Sequence, residues 1–527
     1  MVKLTFTFPR RSAERLNILF PRSLGRLIAG LAATLLLVGS RADAQSVAQQ
    51  FAGADWFARP LGTGVTWKYY HFDNLFGAPQ DICVIEANLN TPNVSVELPF
   101  RNGLLRTTKM ITTDFPGAAG GINGTFFNVR GTSTYLRVNG TEPNRAETFG
   151  NWGYQGGLVF NRNNRIYKVV QRPKDTGGAA KAAEDWRSNA NIYTDVMVNG
   201  PLLVQNGAIA RGFYASLGSH CDTRHPRTMV GMKPGNVLVL VAADGRHPGR
   251  AAGLTCEEMA QVMFALGCSD ALSLDGGGST LMYGRGEPFN GILNYPSDNG
   301  GWDHDPADER AVANAIAVVA PAPNPLPFDA RVEILSAPTS IRQGEVKWVQ
   351  MKLTNIGAQP WNNGRISLAT SRPAKHTSAF YSSTNWPNLY AAWRLPAGSS
   401  VAPNQSLTIF FQLKGPEIAT AGKLSEMFQL RVDDAYRIGP PDDEIKLTLD
   451  VTPGGNSFLV EPRTGGQNFA WYCDNGMADS PVNCLAPGAT SNIGMRYGST
   501  YRSVVGAKSA SWLPSFPMRG FYRVKVA

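Results

Sequence analysis

The stretch Ser273-Leu274-Asp275-Gly276-Gly277-Gly278-Ser279-Thr280 constrains this chain more than any other. An apolar run, Ala271 to Leu274, reads as a short buried strand that ends at the carboxylate of Asp275. The backbone then turns through three glycines and two hydroxyl residues. Consecutive glycines are costly inside a strand or helix. They suit a chain that turns sharply or must approach a ligand closely. Such a loop aims several backbone N–H groups at an anion, beside an acid placed by a rigid strand. A plain tight turn is the competing reading, because Gly-rich loops are common.

The flanking residues support a site. Thr255-Cys256-Glu257-Glu258 predicts a capping box, with Thr255 at the N-cap and Glu258 three residues on. Met259, Val262, Met263 and Leu266 follow at helical spacing, and Gly267 suits the C-terminal cap. Upstream, Arg227–Met232 and Val237–Val241 read as two strands joined by the turn Lys233-Pro234-Gly235-Asn236. The second strand runs out into Ala243-Asp244-Gly245-Arg246. Arg227, Asp244, Arg246 and Asp275 therefore fall where elements end, the place where scaffolds carry reactive side chains.

These blocks resemble the phosphodiester glycosidase family. Gly121-Ile122-Asn123-Gly124-Thr125-Phe126-Phe127-Asn128 resembles the family's Asn-Gly-Gly-Phe-Phe segment, with Thr125 in place of the second glycine. Asn199-Gly200-Pro201-Leu202-Leu203-Val204-Gln205-Asn206-Gly207 resembles its Gly-Pro-x-Leu-Val-x-x-Gly segment. Pro226-Arg227-Thr228, Asp244-Gly245-Arg246 and Leu274–Ser279 match closely, and Arg310-Ala311-Val312-Ala313-Asn314-Ala315-Ile316 resembles the closing strand. The resemblance covers roughly residues 80 to 320, and its six blocks occur in order. It implies an enzyme that hydrolyses a sugar-1-phosphodiester or a related glycan linkage, without a cofactor.

The N-terminus reads as a targeting segment. Arg22 and Arg26 precede an apolar run from Leu27 to Val38, too short to span a bilayer comfortably. Ala42-Asp43-Ala44 follows as a small-x-small cleavage signal, so a signal peptide cut after Ala44 and export to the periplasm or exterior are expected. An uncleaved N-terminal anchor is the alternative. Residues 1–44 carry seven basic and two acidic side chains, hence +5 of the formal +10. The mild positive balance that remains suits an acidic glycan or phosphodiester. No Lys/Arg-rich run points to nucleic acid, and no later stretch is apolar enough for a membrane span. Export permits disulfides. Cys473 and Cys484 flank a short turn-rich stretch and are expected to pair, whereas Cys83, Cys221, Cys256 and Cys268 allow three pairings.

A chain of 527 residues predicts about three domains. The expected order is an α+β catalytic domain of mixed sheets with few helices over residues 45–320, then two all-β modules. Residues 45 to about 80 read as a lead-in packed on the catalytic domain. Pro321–Pro327 is Pro-rich and opens a linker over 321–330. Trp348–Leu353, Ile366–Thr370, Ser406–Leu413, Glu426–Val432 and Ile445–Val451 read as strands, so residues 331–453 predict a β-sandwich. The Thr354-Asn355-Ile356-Gly357…Trp361 pattern resembles immunoglobulin-like modules. Residues 454–527 resemble the C-terminal β module of golvesin-type bacterial proteins and are expected to be incomplete. There Trp471, Tyr472, Tyr497 and Trp512 are candidates to stack on sugars, with core packing the plainer alternative.

Cleavage at an anomeric carbon passes through positive charge on the sugar ring, so it needs a carboxylate nearby and a group that activates water. Asp275 is the first candidate, Asp244 the second and Asn123 a hydrogen-bonding third. Arg227, Arg246 and Arg310 are candidate clamps for phosphate or carboxylate, though a salt bridge from any of them to Asp244 or Asp275 would serve structure instead. Gly276, Gly277 and Gly278 would supply the backbone cradle. Ser279 would donate to phosphate, and Phe127 would line the substrate. His220, Cys221, Asp222 and His225, with Asp303-His304-Asp305, form a competing metal-site reading. A serine hydrolase is disfavoured, since no Gly-x-Ser-x-Gly elbow follows a strand. The remaining alternatives are an exopolysaccharide hydrolase whose substrate lacks phosphate and a glycan-binding protein that has lost catalysis.

Overall fold

The computed structural model describes residues 47–143, 150–173, 179–189, 192–298, 304–418 and 420–453, with the backbone of short strands at Val2–Leu4, Ile18–Phe20, Trp471–Cys473, Gly494–Tyr497, Thr500–Ser503 and Ala510–Trp512. The signal-peptide cut, the Cys473–Cys484 pairing and the golvesin-like aromatic side chains lie outside the described residues. Contacts divide the chain into two units, Met1–Asn324 and Pro325–Ala527. The chain is mostly β with few helices.

The first unit is organised by an eight-stranded antiparallel sheet. Its spatial order is Ala208–Ile209, Leu202–Gln205, Asp270–Ser273, Arg227–Lys233, Val237–Ala243, Ala78–Asn88, Val65–Leu75 and Phe57–Gly62. The strand Val237–Ala243 is apolar at every position because both of its faces are covered. Leu238, Leu240 and Ala242 enter one core, while Val239, Val241 and Ala243 enter another. The second core is roofed by the helix Cys256–Ala265, which contributes Met259, Val262 and Met263. Each such fully buried side chain stabilises the fold by about 1.5–3 kcal/mol. Within and just beyond the lead-in expected over residues 45 to about 80, Phe57–Gly62, Val65–Leu75 and Ala78–Asn88 are three strands of this sheet. Val65–Leu75 begins with alternately buried residues, a pattern of period two.

A second sheet packs on the other face, with Ile122, Met282, Ile316 and Val318 in the shared core. Its strands run Met282–Gly284, Ala118–Asn123, Ala311–Val319 and Ser95–Glu97, with Phe100–Arg106 also paired to Ala311–Val319. Antiparallel order brings functional ends together. Arg227 pairs with Ala243, and Met229 pairs with Ser273. One strand start and two strand ends thus meet at one end of the sheet, carrying Arg227, Asp244 and Asp275.

The second unit contains strands Ala330–Ser336, Val346–Asn355, Ile366–Ser371, Ser406–Lys414, Gly422–Val432 and Lys446–Thr452, which enclose every strand expected there within a residue. Two main sheets share one core, with Val349, Met351 and Leu353 from one and Leu368, Phe428 and Leu449 from the other.

Candidate active site

Asp275 follows the strand Asp270–Ser273 and sits in a clamped loop. Leu274 N donates to Thr228 O (2.8 Å), Asp275 N to Gly124 O (3.0 Å) and Gly277 N to Pro226 O (2.8 Å). Asp275 and Gly277 are therefore held between the two sheets, the one by Gly124 and the other by Pro226. Gly277 has φ +63°, a left-handed backbone that L side chains adopt rarely. At Gly278 a Cβ would overlap the Asp298 carboxylate and the Arg310 guanidinium. Sharp turning and close approach are both present in this run.

The Asp275 carboxyl is pushed up to about 6 by burial, against the opposing pull of the Ser279 hydroxyl, Arg310 and the Gly276 N–H. Arg310 Nε donates to Asp298 Oδ2 (2.7 Å), its Nη2 pairs with Asp298 Oδ1, and Nη1 reaches Ser279 Oγ at 3.4 Å. Arg310 therefore joins Asp298, a residue unforeseen from the sequence, to the loop.

Asn123 is fully buried and braces this loop. Its Nδ2 donates to Asp275 O (2.7 Å), and its Oδ1 accepts from Thr228 Oγ1 (2.9 Å) and Leu281 N (3.1 Å). Thr125 is buried too, bonded to Asn314 and Thr132, so its hydroxyl points into protein. Phe127 is half-buried beside a small core that includes Met110, Ile111 and Val312.

Arg227 and Arg246 stand apart from the acids. Arg227 is 3% exposed, and its Nε and Nη2 donate to the carbonyls of Leu254 (2.8 Å), His220 (2.7 Å) and Thr223 (2.9 Å). Burial and the charge of Arg246 push its guanidinium down to about 10. The Arg246 Nη2 lies 3.0 Å from where a Cβ on Gly277 would stand, so this exposed side chain covers the loop. Its nearest polar partner is His225 Nδ1 at 3.4 Å. Neither arginine has an ion pair with a carboxylate among the described residues.

Asp244 is 1% exposed and lies deeper. Asn294 Nδ2 donates to it at 2.9 Å and to Thr280 O at 3.2 Å, and Tyr295 N donates at 3.1 Å. Its neighbour Asp81, also fully buried, takes Tyr69 OH (2.9 Å), His71 Nδ1 (2.6 Å) and Arg250 Nε (2.8 Å). Those donors hold Asp81 well below the usual carboxylate range despite its burial. Burial and the Asp81 charge raise Asp244 to about 8. Asp81 was invisible in sequence, because nothing local marks a lone aspartate in the strand Ala78–Asn88 as a partner of Asp244.

Three rings cluster beside Arg227. Trp152 lies 4.4 Å from His220 and 5.3 Å from Phe126, centroid to centroid. Cys221 is bonded to Cys256, a single bond rather than any of the three pairings of all four cysteines, and this removes Cys221 from the competing metal set. Cys83 and Cys268 are free and buried. No group of three His, Cys, Asp or Glu suited to a metal occurs among the described residues, and Asp303 lies outside them. No helix among those residues is long and apolar enough to cross a membrane.

Among curated proteins, the chain is similar to the SPbeta prophage-derived uncharacterized protein YomE of Bacillus subtilis (strain 168), 35% identical over 161 residues. That match covers 25% of this chain and 25% of YomE, so the chain spans about a quarter of that relative. Among solved structures, it is similar to a hypothetical protein from Synechocystis, at 16% identity and TM-score 0.38, covering 50% of this chain and 63% of that one. It is also similar to the catalytic domain of zebrafish N-acetylglucosamine-1-phosphodiester alpha-N-acetylglucosaminidase, auto-inhibited by its pro-peptide. There the identity is 16% and the TM-score 0.36, covering 50% of this chain and 87% of that one. Residues 116–319 match the phosphodiester glycosidase family, and Asn123, Arg227, Asp244, Arg246, Asp275 and Arg310 all fall inside that span.

Proposed function

We propose that the first unit is an exported hydrolase that cleaves a sugar-1-phosphodiester or a related glycan linkage. The observation that carries this reading is the pair Arg227 and Arg246. Two guanidiniums repel one another beside a glycine loop; Glu258 offsets the charge of Arg227 only in part, and neither arginine is ion-paired to a carboxylate among the described residues. An anion placed there would relieve the repulsion and accept hydrogen bonds in a partly dry site. Asp275 is the carboxylate beside that anion. With its carboxyl near 6, it is mostly ionised at neutral pH yet basic enough to take a proton from water. Water oxygen bonds to the anomeric carbon, its proton passes to Asp275, and the C1–O electron pair leaves with the phosphate. Arg310 and Ser279 hold Asp275, while Asn123 and the Asp244–Asn294 pair fix the loop from beneath. The Cys221–Cys256 bond is consistent with an oxidising compartment.

The test is hydrolysis of a panel of aryl glycosides and sugar-1-phosphodiesters, with Asp275→Asn as control. Cleavage confined to phosphodiesters and lost in the variant supports the reading. Cleavage of plain glycosides identifies a polysaccharide hydrolase instead. Glycan binding without turnover of any member would count against catalysis.

A further inference from the structure

The rings beside Arg227 form a group that the reaction chemistry leaves unused. Trp152 belongs to the short turn Asn151–Tyr154, far in sequence from every block that marked the site. It packs on His220 at 4.4 Å, and Phe126 closes the group at 5.3 Å from Trp152 and 6.0 Å from His220. Trp152 and His220 each keep part of their surface exposed, while Phe126 is the buried base.

Three ties fix this group to Arg227, to the strand that leads into Asp275 and to the helix Cys256–Ala265. His220 O accepts from Arg227 Nη2 at 2.7 Å. Phe126 N donates to Asn199 Oδ1 (3.1 Å), whose Nδ2 donates to Ser273 O (2.9 Å), two residues before Asp275. Cys221, next to His220, is bonded to Cys256 at the start of the helix Cys256–Ala265. The rings therefore stand at a set position relative to both the arginine and the acid.

His220 itself is unusual. Its Nε2 is buried with no hydrogen-bond partner, and no bond is made by Nδ1 among the described residues. Burial, Arg227 and His225 push its imidazole down to about 4, so the ring is neutral at ordinary pH. A neutral imidazole keeps both a donor and an acceptor. A flat aromatic face beside such a ring matches a pyranose, which offers apolar C–H faces and hydroxyls at its rim.

We infer that Trp152, His220 and Phe126 form a stacking subsite for the sugar ring attached to the anion held by Arg227 and Arg246, with Trp152 and His220 as specificity residues. The inference deepens the proposed function and rests on it for the anion, though not for the sugar. It separates the two halves of the substrate: the arginines take the phosphate, and the rings take the hexose.

The experiment compares calorimetric binding of hexose 1-phosphate, methyl phosphate and methyl hexoside to the full chain. Trp152→Ala should weaken hexose 1-phosphate about tenfold and leave methyl phosphate unchanged. Trp152→Phe, which keeps a ring, should recover most of the affinity. Arg246→Ala should weaken both phosphates alike. Equal weakening of methyl phosphate by Trp152→Ala, or unchanged hexose 1-phosphate, overturns the subsite. Wild-type protein that binds the hexoside and neither phosphate overturns the phosphodiester reading, and Trp152→Ala on the hexoside then decides the subsite. Binding of none of the three overturns both.

Discussion

Asp275 and Asp244 are alike in sequence, each an acid at the end of an apolar strand, yet their surroundings separate them. Asp275 lies beside Arg310 and the Ser279 hydroxyl, which oppose the effect of its burial. Asp244 takes hydrogen bonds from the neutral groups Asn294 and Tyr295 N–H, and its burial and the charge of Asp81 outweigh the pull of Arg250. Asp275→Asn should lower kcat by about a hundredfold or more, the scale of a lost general base, with the thermal midpoint little changed. Full activity in a folded variant would remove Asp275 from the chemistry. The acid limb of kcat/KM should fall as pH drops through about 6, where Asp275 takes up its proton.

Asp244 predicts a stability effect of a definite sign. Its folded-state value of about 8 exceeds the ordinary 3.8, so the folded protein holds a proton that the unfolded chain releases. That contribution is intact below the ordinary value and is lost as pH rises toward 8. Asp244→Asn, which cannot ionise, should flatten the decline in melting temperature between roughly pH 5 and 8. An unchanged pH slope in the variant would show that Asp244 is not the group responsible.

Two elements carry the loop and its support. The helix Cys256–Ala265 forms the capping box foreseen from its first residues, with Glu258 N bonded to Thr255 Oγ1 at 3.2 Å and Thr255 N to Glu258 Oε2 at 2.9 Å. Thr255→Ala should cost about 1 kcal/mol in urea unfolding. Because Cys256 is disulfide-bonded beside His220, the same change should also weaken substrate binding slightly. The glycine loop is less forgiving. Gly278→Ala adds a methyl where Asp298 and Arg310 already stand, so it should separate that ion pair from Ser279 and depress kcat more than it raises KM. A Gly278→Ala enzyme with wild-type kinetics would mean that the loop has room to shift.

For the whole molecule, each unit has its own core. Residues such as Leu240, Ile316 and Leu272 fill one, and Trp361, Phe411 and Phe428 fill the other. Independent cores are the physical condition for independent folding. Residues 45–324 and 325–453, produced separately, should each show a cooperative thermal transition. Hydrolysis should remain with the first. Loss of cooperative unfolding in either piece would show that its core needs the rest of the chain.

The sequence by itself determined the local features whose causes are local. The capping box, the turn between Arg227–Lys233 and Val237–Ala243, the glycine loop and the strands of the second unit depend on residues a few positions apart, whose spacing and backbone preferences are written in order. It also marked Asp275, Arg227 and Arg246, because strand ends and glycines announce where side chains emerge. Tertiary structure alone decided what those side chains meet. Arg310 found Asp298, Asn123 turned inward to the Asp275 carbonyl, Asp244 came to lie against Asp81, and Cys221 chose Cys256. Trp152 joined His220, 68 positions further along the chain. Such partners are selected by sheet order and by burial, which sum contacts over the whole core, and no short stretch of sequence contains that sum.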